Sequence, residues 1–167
     1  MNSPGYAQFP YWLGLYPNPN PYGSFYSAQN QPVTGANVTT ALTYTSDIAS
    51  QTYISGSRIY VQAIGVYRVL FTIQVDTTSG GQQTVSVWLR VNGVNLPNSA
   101  SVFTIQNNGE NVAACEIIVR LLTGDYVEVV FQSPDANMIA AYKAPSGVAP
   151  NNIPAVPSII TVIQKIA

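Results

Sequence analysis

The stretch GVYRVLFTIQV, residues 65–75, sorts its side chains by parity. Tyr67, Val69, Phe71, Ile73 and Val75 share one side of an extended chain, while Arg68, Thr72, Gln74 and the following Asp76 share the other. A period of two with β-branched and aromatic residues on one side is the pattern of a half-buried strand. The same rule carries outward in both directions. Residues 57–63 read as the preceding strand, and TTSGGQQ (77–83) as the loop that follows. TVSVWLRVNG (84–93) then sets Val85, Val87, Leu89 and Val91 inward and Ser86, Trp88 and Arg90 outward. It stops at Asn92-Gly93, a strong short hairpin signal.

Beyond it lie a short strand at 101–106 and a turn at NNGEN (107–111). VAACEIIVRLL (112–122) places Ala113, Cys115, Ile117, Val119 and Leu121 on one side. Further strands are expected at 126–132, 136–144 and 158–166, with the Pro/Gly/Asn loop PSGVAPNNIPAVP before the last. No segment has a helical period. About eight short strands with turn signals between them describe an all-β, antiparallel sandwich or barrel. At 167 residues the chain suits one domain, able to bury roughly 70% of its unfolded surface without staples.

Residues 1–32 read differently. MNSPGYAQFPYWLGLYPNPNPYGSFYSAQNQP holds Pro4, Pro10, Pro17, Pro19 and Pro21, which oppose a long helix or a central strand. It also holds Tyr6, Phe9, Tyr11, Trp12 and Tyr16, then Tyr22, Phe25 and Tyr26, and no charged side chain. That is unlike a solvated tail, which owes its disorder to charge and to a lack of aromatics. The expected organisation is an extended assembly arm over 1–32 and a β-sandwich domain over 33–167. The arm aromatics, together with the outward Trp88, are the expected interface residues.

Charge points the same way. Charged residues are only 8% of the chain, against about 25% in ordinary soluble domains, and the net charge is −1. A nearly neutral surface keeps a free monomer in solution poorly, so subunit contacts are expected to cover much of it. With no basic run, electrostatic binding of nucleic acid is not expected. No apolar run approaches the ~18 residues needed to span a bilayer, and no signal segment is read at the start.

The residues for catalysis are missing. Histidine is absent, which removes the commonest general base and metal ligand. The single cysteine, Cys115, reads as a small core residue, and no cofactor or metal site is expected. Glu116 and Glu128 are a pair that neighbouring strands could bring together as hydrolytic carboxylates, but pairing with Arg68, Arg90 or Arg120 is the simpler expectation. Asp125 is expected to bond the amides of its own turn. The chain is therefore not read as an enzyme.

Gly65-Val66-Tyr67 has an echo in GDYVEVVF, 124–131, and the chain closes on PSIITVIQKI, 157–166. In that order and spacing, these resemble the single jelly roll of the tumour-necrosis-factor and complement-head superfamily. VWLRVNGVNLPNSA, 87–100, is similar to the long hairpin of its virus- and phage-encoded members. Without a collagen-like stalk or membrane stem, the resemblance implies a virion component rather than a receptor ligand. It would be made in the host cytoplasm and assembled with itself and other capsid proteins, as a pentamer at a vertex or as a trimer. The alternative it implies is a fibre head that binds a glycan on the host surface through Trp88 and loops 77–83 or 144–156.

Overall fold

A computed structural model describes residues 20–77, 79–106, 109–148 and 152–167. Among the described residues there is no helix, and the strands form two antiparallel sheets. In chain order they are β1 (Tyr22–Ser27), β2 (Gln31–Pro32), β3 (Thr40–Ala41), β4 (Thr45–Ser50), β5 (Thr52–Ser55), β6 (Arg58–Val61) and β7 (Gly65–Thr77). There follow β8 (Gln83–Val91), β9 (Val94–Asn95), β10 (Ser101–Ile105), β11 (Glu110–Leu121), β12 (Tyr126–Gln132), β13 (Met138–Ala140) and β14 (Ile159–Lys165).

The first sheet runs β2-β13-β7-β14-β1-β4, with β11 on the free edge of β7. Long β7 can hold β11 along one side and, in succession, β14 and β13 along the other. The second sheet runs β10-β8-β12-β6-β5, with β3 against β12 and β9 against β8. The chain crosses repeatedly between the sheets, staying within one only at β1–β2, β5–β6, β8–β10 and β13–β14, and one apolar layer fills the space between them.

That layer is built from the inward parities. Tyr67, Val69, Phe71, Ile73 and Val75 of β7 are buried, facing Val85, Val87 and Leu89 of β8 and Val127, Val129 and Phe131 of β12. Ile159 and Ile163 of β14 complete it. Its polar members are satisfied: the buried Thr161 hydroxyl donates to Tyr44 Oη at 3.0 Å, and Tyr67 Oη donates to the Ala63 carbonyl at 2.6 Å. Burial pushes the Tyr44 hydroxyl pKa well above its usual range. Cys115 lies half-buried against this core.

The boundary at 32/33 is corrected by the fold. Residues 22–27 are not arm but β1, paired to β14 on one side and to β4 on the other. No proline falls between Pro21 and Pro32, so nothing in YGSFYS obstructs a ladder, and Phe25 anchors the strand in the core. β2 likewise pairs with β13. Phe25 is therefore no interface residue: it is 0% exposed, edge-on to Tyr44 at 6.5 Å between ring centres. Of the proposed arm, residues 1–19 lie outside the described residues.

The two glycine-led openings solve different problems. At Gly65 a Cβ would stand 2.6 Å from the Ala167 carbonyl oxygen, so the last residues can lie against the start of β7 only if no side chain is there. Gly124 has open space where a Cβ would go, but φ is +88°, the left-handed region that glycine enters without penalty. Asp125 Oδ2 closes that turn by accepting from the Leu122 amide at 2.7 Å. Asn92 and Gly93 both take positive φ, 52° and 79°, as a type I′ hairpin demands.

Candidate functional site

A sheet has two faces, and the inner face of the first sheet is the core. Among the described residues, no element covers most of its outer face. The register lines up its residues in rows. One runs Ile48 (β4), Ser24 (β1), Val162 (β14), Leu70 (β7) and Glu116 (β11). The next holds Tyr22, Gln164, Arg68 and Ile118, and the one on the other side holds Tyr26, Ile160, Thr72 and Ala114. Tyr22, Ile48, Ile118, Ile160 and Val162 are all exposed, Ile118 at 62%, and Val112 extends the patch along β11.

The two charges at the centre of this face pair with each other. Arg68 grips Glu116 with two bonds, Nε to Oε1 and Nη2 to Oε2, both 2.7 Å. That contact holds the Glu116 carboxyl below its usual range. What remains is an apolar expanse wider than the isolated hydrophobic side chains of ordinary surfaces.

At one side of the face, β1, β4 and β14 meet the loop before β14 in an open cleft of about 430 Å³. The sheet supplies Ser24, Tyr26 and Ile160, and the loop supplies Pro154, Ala155 and Pro157. Asp47 also lines it. The β1–β4 register slips between Ser24 and Phe25, whose partners are Ile48 and Ser46, leaving Asp47 as the extra residue of a bulge. Bulges re-aim side chains in this way.

The outer face of the second sheet is furnished differently. Tyr53 stacks on Tyr60 (4.9 Å, 7°), Tyr60 leans on Tyr126 (5.2 Å), and the Arg58 guanidinium caps the Tyr126 ring at 4.6 Å. Glu128 beneath them accepts from Ser57 Oγ at 2.7 Å and lies 3.5 Å from Arg58 Nε. Trp88 is half-buried on the same side of the sandwich and donates Nε1–H to Asn95 Oδ1 at 2.8 Å, which Arg90 Nε also reaches.

Of the expected interface residues, then, Tyr22 and Tyr26 share the apolar face, Trp88 stands on the opposite side of the sandwich, and Phe25 is in the core. Tyr6, Phe9, Tyr11, Trp12 and Tyr16 lie outside the described residues. Glu116 and Glu128 sit on different sheets, each with its own arginine, so they form no carboxylate pair. Asp135 is the one buried aspartate. Burial raises its pKa, but hydrogen bonds from Thr77, the Asn137 amide and Ser79 outweigh this and lower it on balance. Among the described residues, no three His, Cys, Asp or Glu residues gather as a metal site.

The strand order and the two-sheet register invite comparison with known folds. Mouse APRIL, in its crystal structure at pH 5.0, superposes with a TM-score of 0.57 at 11% identity, covering 87% of this chain and 98% of that one. The pH 8.5 structure of the same protein gives 0.57 at 12%, covering 88% and 99%. The fold is a tumour-necrosis-factor-like jelly roll. No family model matches the sequence, and no curated protein matches it. Identity this low carries the architecture and nothing of the partners.

The apolar face had a signal in the sequence. Strands β11 and β14 are apolar at both parities, as in Ile117-Ile118, Ile159-Ile160 and Val162-Ile163. A strand buried on one side only has no need of that; a strand covered on both sides does.

Proposed function

We propose that this chain is a structural subunit of a virion, a single jelly roll that assembles with copies of itself through the outer face of the first sheet. The observation that carries the reading is that face: five strands wide, apolar along Ile48, Val162, Leu70 and Ile160, and with its central charges neutralised in one pair. Burying such a face removes apolar surface from water at roughly 25 cal/mol per Å², which must exceed the cost of association. A patch that meets a different patch by a closing rotation gives a ring. A pentamer at a capsid vertex and a trimer are the two rings this size of subunit suits, with other capsid proteins around it and no chemistry of its own.

A second reading, a glycan-binding fibre head, draws on the tyrosine ladder. It ranks below because the rings consume one another's faces. Tyr60 lies between Tyr53 and Tyr126, and Arg58 covers Tyr126, leaving the open side of Tyr53, 47% exposed, for a sugar.

The native mass of the purified full chain tests both. A trimer or pentamer that Val162→Lys or Ile118→Lys converts to a monomer, with the β circular-dichroism spectrum intact, is the expected result. A wild-type chain that stays monomeric at high concentration overturns assembly. A glycan array that lights up, and goes dark on Tyr53→Ala or Trp88→Ala, would move the fibre-head reading to first place.

A further inference from the structure

We propose that the cleft between β1, β4, β14 and the loop 153–157 is the seat of the aromatic, proline-rich segment 6–19 from a second copy of this chain. The inference rests on the self-assembly reading and gives it a specific contact.

The lining fits that occupant. Pro154, Ala155 and Pro157 lose almost no side-chain entropy on being covered, and Tyr26 and Ile160 offer a flat ring and an aliphatic floor. Grooves of aromatic and apolar side chains receive proline-rich chain readily, because such chain is already extended and carries few backbone donors to strand. Segment 6–19 is rich in proline and aromatics and contains no charged side chain. It thus brings nothing to repel Asp47, and its tyrosine hydroxyls, its indole N–H and the side-chain amides of Gln8 and Asn18 are all donors for that carboxylate.

The path favours a neighbour's cleft over the chain's own. The described chain begins beside Lys165, whose amide donates to the Pro21 carbonyl at 2.8 Å. Tyr22 is at that end of β1, while the cleft lies toward the other end, near Tyr26. To reach its own cleft the segment would have to reverse within Pro17-Asn18-Pro19-Asn20-Pro21. This stretch reads as extended chain or as a series of turns; as extended chain, with φ fixed by the alternating prolines and the residue before each biased the same way, it leads away from that cleft. At about 3.1 Å per residue the preceding segment can span several tens of ångströms. That is well beyond the ~20 Å length of a six-residue strand.

The test uses the full chain with a photo-reactive benzoylphenylalanine in place of Trp12. Chains labelled with nitrogen-15 and unlabelled chains are mixed, irradiated and read by mass spectrometry. The expected products are mixed-isotope cross-links from position 12 to peptides containing Ala155 or Ile160. Ala155→Arg and, independently, Tyr26→Ala should reduce them at least tenfold in chains that keep the β spectrum. Same-isotope cross-links alone, cross-links to other surfaces, or no effect of either substitution would overturn the proposal. Native mass separates the two claims. An oligomer without cleft cross-links sinks only this inference, whereas a monomer sinks the assembly reading as well.

Discussion

Arg68 and Glu116 bridge β7 and β11 diagonally, two bonds of 2.7 Å across the middle of a largely apolar sheet face. Neither faces its Cα partner: Arg68 stands opposite Ile118 and Glu116 opposite Leu70. The pair lets a neutral surface approach without two unmatched charges, and a bidentate carboxylate–guanidinium contact also fixes orientation. Arg68→Glu would set two carboxylates diagonally across the strands, within an apolar surround that screens them less once a partner subunit excludes water. The variant is expected to be monomeric by native mass at pH 7, with assembly regained in the charge-swapped double variant Arg68→Glu/Glu116→Arg. If the single variant assembles as the wild type does, the outer face of the first sheet is not the contact.

Tyr67 and Tyr126 each follow a strand-opening glycine by two residues, and they should answer mutation in opposite ways. Tyr67 is buried with its hydroxyl donating to Ala63, so Tyr67→Phe should cost about 1 kcal/mol. Tyr67→Ala should cost about 3–5 kcal/mol, through loss of the ring and the cavity it leaves. Tyr126 lies on the outer face between Tyr60 and Arg58, and Tyr126→Ala should cost about 0.5–1.5 kcal/mol. Urea denaturation of the three variants checks the order.

That contrast marks how far the sequence could be read. The alternation of 65–75 is strong because five inward residues are large and apolar, and Asn92-Gly93 is strong because few pairs accept positive φ twice. The β1 strand was hidden because its inward residues are Gly23, Phe25 and Ser27, only one of them a large hydrophobe, and because prolines precede it. The edge strand β4, TSDIAS, is held by backbone pairing to β1 and shows no apolar alternation at all. The apolar face needed register. Leu70 sits among Arg68, Thr72 and Gln74 in the chain, and only pairing to Val162 makes it part of a patch. The cleft needed more still, since it joins residues 24–47 to residues 154–160.

Asp135 is expected to set an acid limit on stability. Its carboxylate accepts from Thr77 Oγ1 (2.6 Å), Ser79 Oγ (2.8 Å), the Asn137 amide (2.9 Å) and Asn137 Nδ2 (3.3 Å). These bonds favour the ionised form, so the folded pKa lies below the ordinary value of 3.8. The stabilisation from this group is therefore complete above the unfolded pKa and is lost as pH falls through the folded one. Asp135→Asn replaces one accepting oxygen with a donor and leaves a buried hydroxyl unmatched, a loss of about 1–3 kcal/mol at pH 7. Denaturation at pH 7 and at pH 3 should show the gap to wild type narrowing in acid. A gap that is constant or widens would mean that the carboxylate is not charged in the folded protein at neutral pH.

Gly65→Ala and Gly124→Ala test why each opening needs glycine. At Gly124 the obstacle is the backbone, φ +88° with free space around it, so alanine should cost about 1–2 kcal/mol and disturb nothing distant. At Gly65 the obstacle is a neighbour: the new Cβ would press on the Ala167 carbonyl, which accepts from the Val66 amide at 2.7 Å. The end of the chain would have to move, opening that bond and the one from the Ile166 amide to the Val66 carbonyl. Hydrogen exchange should therefore quicken at Val66 and Ile166 in Gly65→Ala and stay as in the wild type in Gly124→Ala. Equal exchange at both amides in both variants would show that the last residues do not rest on the start of β7.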